Sequence, residues 1–105
     1  MRPTRFYSKK QENRVAKAVS GRRTANSGAT KFQKGDVITD DWLIECKTST
    51  REKESFSIKR DWLDKNEEEA FQMGKHNHAL CFDFGADDRY YVVDESTFIK
   101  LMKGV

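Results

Sequence analysis

Apolar side chains recur at helical spacing in three segments of the chain and at closer spacing in four shorter segments. The first spacing predicts helices, and the second predicts strands. The predicted helices are 8–19, 61–73 and 95–103, and the predicted strands are 36–39, 42–48, 78–84 and 89–93. The order helix, strand, strand, helix, strand, strand, helix predicts an α/β fold in which helices flank a central mixed sheet.

Residues at the ends of these segments predict where the helices begin and end. Ser8 is a candidate N-cap of the first helix, Gly74 a C-cap of the second, and Asp94 an N-cap of the third. The third helix is expected to close the domain with three large apolar side chains, which are Phe98, Leu101 and Met102.

The segment GDVITDDWLIECKT predicts a hairpin with Asp40 and Asp41 in its turn. A two-residue turn places Asp36 opposite Glu45. Side chains alternate along a strand, so Lys47 is expected on the same face as these two carboxylates. A bulge would change the pairing but keep the carboxylates close.

One acidic residue lies on the apolar face of the first predicted helix. Glu12 precedes Val15 by three positions and Val19 by seven, which is the spacing of one helix face. A buried carboxylate without a partner is costly, so Glu12 is expected to serve a site.

The positive charge of the chain is concentrated in residues 1–34. This segment has ten Lys or Arg and one acid, a net charge of +9, whereas the 105-residue chain carries +3, so the other 71 residues carry −6. Such asymmetry indicates an anionic partner, and nucleic acid is the usual one. A basic arm that only improves solubility is the alternative. Residues 20–34, rich in small and basic residues, are predicted to form a mobile loop that faces phosphates.

The length predicts a single domain, 1–105, that carries both binding and chemistry. No apolar run could span a bilayer and no signal peptide is recognisable, so a cytoplasmic location without membrane contact is expected. Cys46 and Cys81 are expected to be reduced and structural. His76 and His78 lie close to Cys81 in sequence, but no fourth ligand follows at a suitable spacing for a metal site.

An acid on one strand and Glu-x-Lys on its neighbour provide what metal-dependent phosphodiester hydrolysis requires. Hard oxygen ligands hold a divalent ion, and a lysine orients the attacking water and stabilises the transition state. Glu45 and Lys47 as a plain surface ion pair are the simpler interpretation. The apolar run Trp42, Leu43, Ile44 argues against it, because a buried strand keeps such charges only at a cost.

The combination of Glu12, Gly35-Asp36 and Leu43-Ile44-Glu45-Cys46-Lys47 resembles the PD-(D/E)xK nuclease superfamily, with Gly35 in place of the proline. Within it, the short chain and basic loop resemble the Holliday-junction resolvase-like nucleases of archaea and phages. The resemblance implies a restriction-endonuclease-like core and an intracellular enzyme of DNA recombination or repair. It also implies Mg²⁺, or Mn²⁺ in its place, held by Asp36, Glu45 and the Cys46 carbonyl, with Glu12 acting through water.

The predicted function is therefore a Mg²⁺-dependent, structure-selective DNA endonuclease that needs no small-molecule cofactor. A homodimer is expected, because one small domain carries one site and cutting two strands needs two. The predicted catalytic residues are Glu12, Asp36, Glu45 and Lys47, and the predicted DNA-binding residues are Arg22, Arg23, Ser27, Lys31, Lys34 and Lys59.

Three other functions are compatible with the sequence. The first is a nuclease that recognises a specific sequence or acts in repair, and the second is a non-catalytic nucleic-acid-binding protein on the same scaffold. The third, an RNA-binding domain, would need aromatic side chains exposed on a sheet.

Overall fold

The computed structural model describes residues 4–24 and 36–104, which form an α/β fold with a five-stranded mixed sheet. The helices are α1 (Thr4–Ala18), α2 (Arg60–Gln72) and α3 (Glu95–Lys103). The strands are β1 (Arg22–Arg23), β2 (Asp36–Ile38), β3 (Trp42–Lys47), β4 (Asn77–Asp83) and β5 (Arg89–Val92). The predicted α/β class and the seven predicted elements are confirmed, and β1 is additional.

The strands lie in the sheet in the order in which they occur in the chain. Every neighbouring pair is antiparallel except β3 and β4, which are parallel and are connected through α2. The predicted hairpin register is confirmed, since Asp36 pairs with Glu45 and Ile38 pairs with Leu43. The parallel pair puts the carboxyl ends of β3 and β4 at the same edge of the sheet, beside the start of β2.

The two faces of the sheet carry separate apolar clusters. On one face α1 contributes Val15 to a cluster with Val37, Ile44 and two further buried residues, Ala79 and Cys81. On the other face Ala70 of α2 packs with Ile38 and Leu43. Full burial of such side chains stabilises the fold by about 1.5–3 kcal/mol for each of the larger ones. Alternation along β2 and β3 therefore directs Asp36, Glu45 and Lys47 towards α2.

The prediction that residues 20–34 form a loop is wrong for Arg22 and Arg23, which add β1 to the edge of the sheet beside β2. The chain reverses after α1 at Ser20, which has a positive φ of 56°. The next residue, Gly21, lies so close to the carbonyl oxygen of Ile38 that a Cβ atom would not fit. Residues 25–35 lie outside the described part of the chain.

Ser8 is not the N-cap of α1, because the helix already begins at Thr4. The helix includes the four residues before Ser8, so the cap-like serine lies within its second turn. The predicted N-cap of α3 is confirmed, because the Asp94 carboxylate accepts a hydrogen bond from the Thr97 amide. The C-cap of α2 is Met73 and not Gly74, which is the next residue and takes a positive φ of 72°.

The apolar side chains of α3 do not close the domain as predicted. Phe98, Leu101 and Met102 are all exposed, and Met102 retains 71% of its accessible surface. An exposed apolar helix face is a feature of protein surfaces that bind another chain.

None of the helices in residues 4–24 and 36–104 is long and apolar enough to cross a membrane.

Candidate active site

Asp36 is at the centre of a group of charged side chains on the α2 face of the sheet. It is 1% exposed, and its Oδ1 atom has no hydrogen-bond partner in the described residues. Burial raises the pKa of Asp36 to about 8, and the neighbouring carboxylates of Glu45, Glu69 and Glu12 add to this rise. A buried carboxylate surrounded by other carboxylates is the arrangement expected where a cation belongs.

Lys47 lies beside these carboxylates in a defined position. Its Nζ atom is 3.3 Å from Oε2 of Glu45 and 4.4 Å from the ring centroid of Trp62 in α2. A cation over an indole ring gains about 0.5–2 kcal/mol, more where water is excluded. The Lys47 side chain is one-third exposed, so its ammonium group reaches the mouth of the site.

Glu12 enters the site from α1 and is almost completely buried. Its Oε1 atom accepts a hydrogen bond of 3.1 Å from Nε of Arg23 in β1. This contact explains why a carboxylate can be retained on the apolar face of α1. Through this contact Arg23 becomes part of the site, whereas Arg22, the other arginine of β1, remains exposed.

Two residues of α2 belong to this site but were not predicted from the sequence. Glu69 is near enough to raise the pKa of Asp36, and Asn66 is 1% exposed with neither amide atom hydrogen-bonded in the described residues. Trp62, Asn66, Glu69 and Ala70 follow the spacing of a single helix face. The sequence could have indicated these two polar residues, because Asn66 and Glu69 occupy positions on the same helix face as Trp62 and Ala70.

Gln11 connects the site to the carboxyl ends of β3 and β4. Its Nε2 atom donates to the Lys47 carbonyl at 2.6 Å and to Oδ2 of Asp83 at 3.1 Å. Asp83 also accepts hydrogen bonds from the Thr48 hydroxyl and the Gly85 amide. This buried network fixes the end of β3, on which Lys47 is located.

Both cysteines are free thiols that pack in the apolar core on the α1 face of the sheet. Burial raises the pKa of Cys46, and it raises the pKa of Cys81 to about 11. Their structural role is as predicted. The Cys46 carbonyl oxygen stays a predicted metal ligand.

A second group with metal-binding side chains lies at the other end of β4. Ligand atoms of Glu67, His78 and Asp94 are within 4.8 Å of one another. His78 is 3.8 Å from each of the two carboxylates, while Asp94 also caps α3. This group connects α2, β4 and α3, and it shares no residue with the carboxylate site. His76 lies outside it and contacts Asp41.

The remaining predicted binding residues are divided between two parts of the chain. Lys59 directly precedes α2, and its Nζ atom is 5.7 Å from the ring centroid of Trp62. Ser27, Lys31 and Lys34 lie outside the described residues. Their roles stay predictions.

The protonation of Asp36 makes metal binding depend on pH. A divalent cation binds the carboxylate, so it must displace a proton wherever the pH is below the metal-free pKa of about 8. We expect the apparent affinity for Mg²⁺ or Mn²⁺ to rise about tenfold per pH unit from pH 6 towards pH 8 and then to level off. Calorimetric titrations in buffers of different ionisation enthalpy measure both the affinity and the released proton. An affinity independent of pH over this range would contradict the assignment of Asp36 as a ligand.

Comparison of the chain with protein-family models, curated proteins and solved structures gives no match.

Proposed function

We propose that the protein is a Mg²⁺-dependent DNA endonuclease of the PD-(D/E)xK type with a restriction-endonuclease-like core. The observation that carries this proposal is the buried Asp36 carboxylate, paired across the hairpin with Glu45 and accompanied on the same face by Lys47. A plain surface ion pair does not explain why a third and a fourth carboxylate approach Asp36.

The side chains present fit a hard divalent cation. Asp36 and Glu45 supply carboxylate oxygens, and the unpartnered Oδ1 atom of Asp36 is available for coordination. Glu12 and Glu69 both raise the pKa of Asp36, and they are proposed to act on the ion through water. When bound, Mg²⁺ supplies Lewis-acid activation of water and compensates charge on the phosphate.

The protein side chains would orient the reactants around that ion. Lys47 is held by Trp62 and Glu45, so its ammonium can orient the attacking water and stabilise the charge that develops on the phosphate. The amide of Asn66 lies on the same face of α2 as Trp62 and Glu69. It offers both a donor and an acceptor to water or to a phosphate oxygen.

The basic surface supports DNA as the substrate. Arg22 is exposed at the edge of the sheet, Lys59 precedes α2, and Ser27, Lys31 and Lys34 are proposed to complete the surface. Selectivity for a Holliday junction or another branched duplex is the finer part of the proposal. A sequence-specific or repair nuclease is the alternative within the same chemistry.

A substrate panel tests this function. The purified protein is incubated with a four-way junction, a fork and a linear duplex of matched sequence, with Mg²⁺ and with EDTA. We expect Mg²⁺-dependent cleavage with the junction or fork preferred. Equal cutting of all three substrates would support a nuclease but contradict its selectivity for branched DNA. Tight binding with no cleavage would instead favour a non-catalytic nucleic-acid-binding protein.

A homodimer is proposed because cleavage of two strands needs two sites, and the apolar surface of α3 supports it. Phe98, Ile99, Leu101 and Met102 are exposed, and Leu101 also lines a groove of about 400 Å³. The groove is mainly apolar, with walls that include Val19, Trp42, Ala79, Tyr91 and Val93. A second copy of the chain would cover such a surface.

Replacing Leu101 by Glu should convert the dimer into a monomer, because a charge would be buried in the apolar contact. Phe71→Glu is the matched control, since Phe71 is 83% exposed on a different helix. Light scattering coupled to size exclusion measures the mass of each variant. A monomeric wild-type protein, or a dimer that persists in Leu101→Glu, would contradict this interface.

A further inference from the structure

A polar pocket of about 110 Å³ lies beside the candidate active site, on the α1 side of the sheet. One wall is a single face of α1, and the other combines the residues after β3 with the turn between β4 and β5. The pocket does not include any of the four predicted catalytic residues. The residues on which its chemistry depends are Lys10, Gln11, Arg14, Ser49, Asp87 and Arg89.

Cations outnumber the available anions at this pocket. Lys10 and Arg14 project from α1, and Arg89 comes from the start of β5. The Asp83 carboxylate in the wall is already occupied by hydrogen bonds from Gln11, Thr48 and Gly85. Asp87 is 88% exposed and contacts Arg14 at 2.8 Å, so this ion pair is weak and can exchange for another anion.

Two buried polar atoms in the wall have no hydrogen-bond partner in the described residues. They are Oγ of Ser49 and Oε1 of Gln11, and their residues are 7% and 4% exposed. The orientation of the Gln11 amide follows from its two acceptors, because Nε2 donates to both Lys47 and Asp83. A buried polar group without a hydrogen-bond partner is unfavourable, so a ligand that pairs with both atoms would be favoured.

We infer that this pocket binds a phosphate group. The guanidinium of Arg14, the ammonium of Lys10 and the Ser49 hydroxyl donate to phosphate oxygens, and Gln11 Oε1 accepts from a hydroxyl or an ordered water at the same ligand. Gln11 also holds the carbonyl of Lys47, so the pocket is directly coupled to the strand that carries the active site.

The identity of the molecule that carries this phosphate follows from the proposed function, on which this part of the inference rests. For a nuclease it is a backbone phosphate of the bound DNA. Its capture would fix the register of the DNA without reading bases. Free inorganic phosphate has the same chemistry, and the experiment separates the two sources.

The DNA arm measures binding by fluorescence anisotropy in EDTA, so it does not depend on cleavage. Arg14→Gln should weaken binding of a short duplex and reduce the slope of log K against log salt by about one unit. Ser49→Ala should weaken binding with little change in slope. Lys9→Gln is the matched control, because Lys9 is an exposed cation of the same helix that does not line the pocket.

Asp87→Asn distinguishes a binding site from a structural ion pair. It breaks the same contact as Arg14→Gln but leaves the arginine available, so it should tighten DNA binding severalfold. Equal weakening by Asp87→Asn and Arg14→Gln would show that the pair only supports the fold. An unchanged salt slope in Arg14→Gln, identical to that of Lys9→Gln, would overturn the DNA source.

The phosphate arm titrates inorganic phosphate into the wild-type protein and the same variants and records the melting temperature. Stabilisation that disappears in Arg14→Gln and Ser49→Ala, but not in Lys9→Gln, supports the pocket. Stabilisation by phosphate together with an unaltered DNA salt slope assigns the pocket to free phosphate. Failure of both arms overturns the inference, whereas absence of cleavage by the wild type contradicts only the proposed nuclease.

Discussion

Asp36→Asn should abolish Mg²⁺-dependent cleavage while leaving DNA binding intact or tighter. The substitution keeps the size of the side chain but removes the charge that binds the cation and opposes the phosphate. Loss of partners that only orient metal ligands commonly costs 10–100-fold, so loss of a ligand should reduce the rate by at least about a hundredfold. Single-turnover cleavage and calorimetric metal titration measure the two effects. Glu45→Gln should behave in the same way, and Asp40→Asn in the exposed turn is the control.

Asp36→Asn should also stabilise the metal-free protein at pH 8. Burial first, and then Glu45, raise the pKa of Asp36 from 3.8 to about 8, so the folded state holds this proton more tightly than the unfolded state. Stability is then highest below the lower value and falls as the pH rises between the two. Asparagine cannot ionise, so the variant should lack this fall and be at least about 1 kcal/mol more stable at pH 8, or several degrees in Tm. A destabilised variant that retains cleavage would make Asp36 structural.

Lys47→Met should reduce cleavage on the order of a hundredfold or more without unfolding the protein. Methionine preserves the aliphatic stem along the sheet but removes the ammonium that lies between Glu45 and the ring of Trp62. Metal affinity and junction affinity should change little, because the proposed ligands are unaltered. Single-turnover rates separate this effect from binding.

Lys53→Met provides the control for Lys47→Met, since Lys53 is an exposed lysine in the segment that follows the hairpin. Normal cutting by Lys47→Met would make Lys47 a plain ion-pair partner of Glu45. Loss of the folded state would lead to the same conclusion. Either result would remove the charged group that the proposed mechanism assigns to the attacking water.

The hairpin was predictable because its pattern is local. A two-residue turn determines which residues face each other, and alternation then places Asp36, Glu45 and Lys47 on one face. The position of Glu12 was equally accessible, since Val15 marks the buried face of α1. These features depend on short-range geometry, which the order of residues contains directly.

The face of α2 was harder to predict because its apolar residues do not all share one face. Ala70 is buried, whereas the neighbouring Phe71 is 83% exposed. The buried stripe includes Asn66 and Glu69, whose polarity a hydrophobic pattern does not reveal. A site that demands polar groups at core positions overrides the rule that core positions are apolar.

Two other features depend on contacts between distant segments. The β1 strand has only two residues, and its pairing with β2 cannot be read from a segment of small and basic residues. The network of Gln11, Thr48 and Asp83 joins α1, the residue after β3, and β4, across up to 72 positions of sequence. Neither feature leaves a periodic signal in the sequence.

We propose that the carboxylates around Asp36 hold a divalent ion that supports phosphodiester hydrolysis. The most direct measurement is cleavage of an end-labelled four-way junction by excess protein, with Mg²⁺, with Mn²⁺ and with EDTA, followed on a denaturing gel. We expect discrete products with either metal ion and none with EDTA. Cleavage that persists in EDTA, or no cleavage with either ion while the junction remains bound, would contradict it.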